Sequence, residues 1–324
     1  MTSRRRFLRQ AASLAAWPAL PLLALGAEPT APTQVIVGFP PGGPVDIAAR
    51  LVGPLLSALL GEPFEVVNVP GESGNVATAG VVAARPDGRT LLMSGPVNVI
   101  NTTLFPNLPF DFGEDLAAVA GLYSVPLVVE VHPAVPAQSV AEFIRLARSR
   151  PGELRVGYAG VGTPQHVGIE LFNAMAGVSL KLVPYAGSAP ALVDLLAGRI
   201  DAMFDPTPSS IEHLRAGRLR ALAVTGNVRL PVLPDVPIVA DVVPGYEAGS
   251  WFGLCAPRGT PRERIEALNA GANDALRDRA LQMRLDALGG QAMPGSPADF
   301  AGLIASETRK YARVIETAGI KARS

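Results

Sequence analysis

The run Gln34-Val35-Ile36-Val37-Gly38-Phe39 breaks at Pro40-Pro41-Gly42-Gly43, and from Asp46 to about Leu60 the apolar residues fall at helical spacing. A β-branched strand, a glycine turn and an amphipathic helix in that order define one βα unit. The unit recurs. Strands are expected over Phe64–Val69, Thr90–Ser94, Leu127–Val131, Arg155–Tyr158, Leu180–Pro184, Ala202–Phe204, Leu219–Val224 and Trp251–Ala256. Helices are expected over Val76–Ala84, His166–Ala176, Ala189–Ala197 and Ile211–Ala216, after Ser139, and over Pro261–Leu276 and Pro297–Thr317. Ser139 with Glu142 three residues on has the form of a capping box. Strands alternating with helices at this pitch imply an α/β layer architecture around a parallel sheet.

The length suggests two lobes rather than one core. Lobe one is expected over about 28–123 and 229–324, and lobe two over about 124–228. The chain crosses near Pro126 and again between Val224 and Trp251, where Pro231, Pro234, Pro237 and Pro244 mark an extended connector. Two crossings make a hinge, and the cleft between such lobes is a common seat for a small molecule.

The N-terminus sets where the chain works. Ser3-Arg4-Arg5-Arg6-Phe7-Leu8-Arg9 has the twin-arginine export form, Ala11 to Ala27 is apolar, and Leu25-Gly26-Ala27 offers a small-residue cleavage site. Pro18 and Pro21 interrupt this stretch, which is shorter than the roughly 20 apolar residues a bilayer needs. Residues 1–27 are therefore read as a signal peptide, and the working chain as periplasmic. Those residues carry four of the 28 basic side chains and none of the 28 acidic ones, leaving 24 against 28. That balance gives nucleic acid no basic footprint. Cys255, the sole cysteine, lies in the apolar run Trp251–Ala256 and reads as a buried, inert thiol.

Loops leaving the C-terminal ends of strands hold the ligands of open α/β sheets. In the first, Pro41, Gly42, Gly43, Val45 and Asp46 precede a helix whose free N–H groups and positive dipole end attract an anion. Asp46 is read as a cap, with direct ligand contact as the alternative. In the second, Gly160, Gly162 and Thr163 form a similar cradle, and His166 is either a helix-start packing residue or a contact. A third loop presents Ser188 as donor or cap. Asp205, in a fourth, either accepts from a ligand amino or hydroxyl group or holds its own turn.

Catalytic patterns are missing. The sequence contains no Gly-x-Ser-x-Gly elbow, Walker loop, His-Glu-x-x-His helix or Cys-x-x-Cys pair. Gly160-x-Gly162 lacks the third glycine of a dinucleotide fingerprint, and His132, His166 and His213 have no metal-ligand spacing. No cofactor and no metal are expected. Cradles without a nucleophile fit a protein that holds its ligand unchanged.

Val35–Arg50 resembles the opening signature of the Bug family, the periplasmic receptors of tripartite tricarboxylate transporters. The likeness continues through Val67–Asn75, Ala84–Leu92, Tyr185–Leu192, Gly198–Asp205, Leu233–Pro237 and Trp251–Pro257, in family order. The resemblance implies a type II periplasmic binding protein fold, two α/β lobes closing on a small carboxylate, with main-chain N–H groups from Pro41 to Asp46 holding the acid. It carries the site further onto Gly160, Gly162, Thr163 and His166, and onto Tyr185, Gly187, Ser188 and Asp205. It also implies membrane permease subunits as partners and a monomeric receptor. Two departures stand out. Ser94-Gly95-Pro96-Val97-Asn98 leaves only Ser94 and Asn98 for side-chain bonds, and the loop after Tyr158 is short and lacks a serine near Ala159. Both suggest a more apolar ligand body, such as an aromatic carboxylate. The alternative reading is a ligand-sensing subunit for a two-component histidine kinase, and an exported enzyme is a third.

Overall fold

Sheet pairing centres on one long strand, β4 (Leu116–Val131), in a computed structural model that describes residues 31–321. The expected signal peptide lies outside the described residues. The other strands are β1 (Thr33–Val37), β2 (Phe64–Asn68), β3 (Thr90–Ser94), β5 (Arg155–Tyr158), β6 (Lys181–Pro184), β7 (Ala202–Pro206), β8 (Arg220–Val224), β9 (Gly249–Pro257) and β10 (Gln291–Ala292). The helices are α1 (Pro44–Leu60), α2 (Asn75–Val82), α3 (Pro96–Leu104), α4 (Phe112–Asp115), α5 (Val140–Ser149), α6 (Pro164–Ala176), α7 (Ser188–Leu196), α8 (Thr207–Arg215), α9 (Arg262–Arg277), α10 (Arg279–Ala287) and α11 (Pro297–Ala318).

The strand order is β2-β1-β3-β9-β4-β7-β5-β6, with β8 and β10 also paired to β4. β1 runs parallel to β2 and β3, and β5 parallel to β6 and β7. β9 is antiparallel to β3 and β4, and β4 is antiparallel to β7 and β8. The expected parallel sheet is thus corrected to a mixed one, two parallel wings about an antiparallel centre. The wings carry the helical crossovers that parallel pairing requires, whereas β9 enters from the proline-rich connector and is free to run the other way.

Pro126 does not end a strand, as its sequence position suggests. It sits inside β4 where the partner changes: Pro126 lies opposite Gly249 of β9, and Leu127 opposite Pro206 of β7. A residue with no N–H is tolerated where one ladder stops and the next begins. The cores divide at the same place. Val119, Leu122, Tyr123 and Val125 pack in one apolar cluster with α1, α9 and β9. Leu127, Val129 and Val131 pack in another with α5, α6 and β5. Val239, Val243, Tyr246 and Ala248 join this second cluster. Thr225 pins the crossing: its fully buried hydroxyl accepts from Leu127 N–H at 2.8 Å and lies 2.6 Å from the Ala248 carbonyl.

Sequence boundaries hold best where a turn residue abuts a clear apolar run, as at β3 and β5. At Ser139, half of the capping box forms. The serine accepts from Glu142 N–H at 3.2 Å, while the Glu142 carboxylate takes Gln138 N–H at 2.7 Å.

Candidate functional site

The first turns of four helices, α1, α3, α6 and α7, and Pro206 immediately before α8 meet on one cleft. Its wall includes Gly43, Pro44 and Val45 from the first loop, Gly95, Pro96 and Val97 from α3, and Thr163, Pro164 and Gln165 from the second loop, along with Ser188 and Pro206. The cleft has a volume of about 410 Å³, including space open to solvent. Phe39, the prolines, Val45, Val97 and Phe252 make most of the wall apolar.

Each helix starts here for a local reason. Proline stands at the first position of α1, α3 and α6, where its missing N–H costs no intrahelical bond and its φ suits the helix. The caps of α1, α3 and α7 are glycines, which bring no side-chain acceptor of their own. First-turn N–H groups, such as those of Val45 and Asp46, are therefore left for whatever enters the cleft. Several positive dipole ends on one small space make it favourable for an anion.

Asp46 serves as a brace. Its buried carboxylate accepts from Gly42 N–H at 2.9 Å, Asn68 Nδ2 at 2.9 Å and Arg50 Nε at 3.0 Å. Burial opposes its charge, but the Arg50 bond, the Gly42 N–H and the Asn68 amide together hold the carboxyl below its usual range. The side chain thus fixes the first loop, and the Asp46 backbone N–H is what remains for a ligand. Asn68 also donates to the Phe39 carbonyl at 2.9 Å, tying the loop to β2.

The second loop is tightly self-bonded. Thr163 caps α6, accepting from His166 N–H at 3.4 Å and donating to the Gly160 carbonyl at 2.7 Å. The buried His166 stacks on Tyr158 with ring centres 5.1 Å apart, and its Nδ1 accepts from Gly162 N–H at 3.4 Å.

Behind the cleft lies a buried polar chain. Asp205 is fully buried and accepts from Ser188 at 2.6 Å, Ser210 at 3.1 Å, Gln165 at 3.3 Å and, at very short range, Ser209. Ser210 also bonds the buried Glu130 at 2.8 Å. Burial raises the Asp205 carboxyl against the lowering effect of these donors. Burial, with the neighbouring Asp205 charge, pushes Glu130 well up.

Of the sequence candidates, Gly43, Val45, Thr163 and Ser188 stand in the cleft wall. Pro41, Gly42, Asp46, Gly160, Gly162, His166, Gly187 and Asp205 are not among the wall residues. Gly187 approaches Pro40, since a Cβ there would stand 3.0 Å from the proline ring. Three candidates face elsewhere. Ser94 donates to the Gly253 carbonyl at 3.0 Å in the core. Asn98 spends its amide on Gly95 N–H and Thr78. Tyr185 donates to Asp194 at 2.8 Å, and burial with this bond pushes its hydroxyl up to about 12. Sequence reasoning passed over Phe39, Gln165, Ser250 and Phe252 in the wall. Gln165, two residues after the Thr163 cap, carried a local signal. Ser250 and Phe252 carried none, because β9 is brought to the cleft by long-range pairing.

Among the described residues no cluster of three metal-ligating side chains occurs, and no helix is long and apolar enough to cross a membrane.

Residues 48–320 match the model of the tripartite tricarboxylate transporter family receptor. The chain is 36% identical to protein BugT of Bordetella pertussis over 297 residues, covering 90% of this chain and 91% of that one. It superposes on the adipate-bound Rpa4515 of R. palustris with a TM-score of 0.88 at 38% identity, covering 90% of this chain and 99% of that one. MatC of Rhodopseudomonas palustris, solved with bound malate, gives a TM-score of 0.85 at 32% identity over 89% of this chain and all of that one. With these likenesses and a periplasmic binding protein fold, the chain belongs to the tripartite tricarboxylate transporter receptor family and is a solute-binding protein.

Proposed function

We propose that this receptor captures a small carboxylated molecule in the periplasm and hands it, unchanged, to the membrane permease subunits of a tripartite tricarboxylate-type transporter. The convergence of helix N-termini on one cleft supports this most directly. The carboxylate would accept from backbone N–H groups of Gly43, Val45 and Asp46, charge-assisted bonds that need no cationic side chain. Apolar walls from Phe39, Val97 and Phe252 would cover the ligand body. Relatives solved with adipate and malate fit the same chemistry.

Closure would move residues 31–125 with 249–321 against 127–248, about the two crossings at Pro126 and Gly249. The protein would work as a monomer and without catalysis, exported by the twin-arginine route. Thermal unfolding across a panel of mono- and dicarboxylates tests the reading, since a ligand bound only by the native state raises Tm. At least one acid should raise it and be recovered intact. A flat response across the panel, confirmed by calorimetry, would overturn it.

A further inference from the structure

Resting on the carboxylate capture and two-lobe closure proposed above, we infer that the turn Gly71–Gly74, braced by Asn101 of α3, is a seat for the second loop, and that Ser73 sets how firmly a ligand is held without touching it.

The second loop meets lobe one at two points. A Cβ at Gly160 would stand 2.9 Å from Ser73 Oγ, and one at Gly162 would stand 2.0 Å from Asn101 Oδ1. Both glycines have positive φ, +114° and +80°, a shape in which other residues are strained. Ser73 and Asn101 precede the Pro126 crossing, and the two glycines follow it. The lobe-one partners are themselves joined. Asn101 Nδ2 donates to the Ser73 carbonyl at 3.3 Å and to Asn75 Oδ1 at 2.8 Å. The two contact points therefore belong to one braced unit.

The turn is held in an uncommon shape. Gly71, Glu72, Ser73 and Gly74 have φ of +151°, +46°, +53° and +87°, and no other described non-glycine residue has a positive φ. Such a conformation persists only where its surroundings fix it. Here Gly74 N–H bonds the Gly71 carbonyl at 2.9 Å, Thr78 Oγ1 donates to the Gly74 carbonyl at 3.0 Å, and Asn101 holds Ser73. Cleft and seat share their elements. Ala159 and Thr163 line the cleft, while Gly160 and Gly162 between them do not. Pro96 and Val97 of α3 line it, while Asn101, one turn further on, does not. A ligand gripped between the ends of the second loop and the start of α3 would press the middle of that loop onto the seat.

Calorimetry on wild type, Gly160→Ala, Ser73→Gly and the double variant tests the seat. The probes are adipate, malate and any other acid of the panel above that binds the wild type. Gly160→Ala should weaken binding at least about tenfold, because its methyl meets Ser73 Oγ on closing. In the Ser73→Gly background, which lacks that oxygen, the same change should cost no more than about threefold. The strain that φ of +114° imposes on alanine is common to both backgrounds and cancels. Unfolding of the four forms without ligand is the second readout. There the two changes should simply add, since the contact belongs to closure. Should Gly160→Ala not fold, Ser73→Leu takes its place; it should weaken binding about tenfold and leave the ligand-free Tm unmoved. An equal loss in both backgrounds, a coupling of the same size without ligand, or unchanged binding by Ser73→Leu would overturn the seat and leave the carboxylate reading standing. Binding of none of the acids by the wild type would remove both.

Discussion

Gly162 of the second loop packs so closely on Asn101 of α3 that a Cβ at 162 would stand 2.0 Å from the Asn101 amide oxygen. The two residues belong to chain segments on opposite sides of the Pro126 crossing, so in the closure proposed above this contact would form only as the loops approach. Gly162 also holds φ of +80°, a conformation side chains rarely adopt. Gly162→Ala should therefore hold the cleft ajar and weaken ligand binding by tenfold or more, with a stability loss of only about 1 kcal/mol from the backbone. Calorimetry and small-angle scattering with and without ligand check both effects. Unaltered affinity with an unaltered ligand-induced compaction would show that the contact is not part of closure.

Asp46→Asn removes the charged partner of Arg50 and the best acceptor for Gly42 N–H. The first loop should loosen, with about 1–3 kcal/mol lost from stability and a weaker grip on carboxylates. The sign of its pH dependence follows from the lowered native carboxyl. The stabilisation is present above the unfolded value of 3.8 and disappears as pH falls through the lower native value. Wild type and variant should accordingly converge in Tm on acidification below pH 3.8, and differ most at neutrality.

Glu130 presents the opposite sign. Its native carboxyl is raised well above 4.5, so its contribution is fully present below that pH and is lost as pH rises toward the native value. Glu130→Gln keeps the shape and abolishes the titration. The variant should gain a few degrees in Tm over wild type at pH 8 and lose that advantage near pH 4.5. An advantage independent of pH would mean that the carboxyl does not titrate on unfolding in this range.

Cys255 is buried, donates to Ser94 at 3.4 Å, and has its thiol pushed up to about 12 by burial. Iodoacetamide at pH 8 should leave it untouched in the native protein and alkylate it fully in denaturant. Stoichiometric labelling of the native form would place the thiol at the surface.

The βα alternation was readable because each early unit carries its own punctuation: Pro-Pro-Gly-Gly before α1, and Gly-Val-Gly-Thr-Pro before α6. The mixed sheet was not readable from the same signals. The first half of β4, Leu116–Val125, is alanine-rich and owes its strand conformation to pairing with β9 across more than a hundred residues. The helix α3 was hidden because Gly95-Pro96 looks like a plain turn until Asn98 accepts from Gly95 N–H. Loop positions in the site were legible and side-chain duties were not. Asp46, His166 and Asp205 face inward on partners, Asn68, Tyr158 and Ser210, that no local pattern joins to them.

Whether backbone N–H groups hold the acid can be read from the amide resonances of Gly43, Val45 and Asp46 during titration with a bound carboxylate. These N–H signals should move downfield together, with one dissociation constant equal to that from calorimetry. Saturable binding that leaves all three unmoved while residues elsewhere shift would contradict the proposed grip.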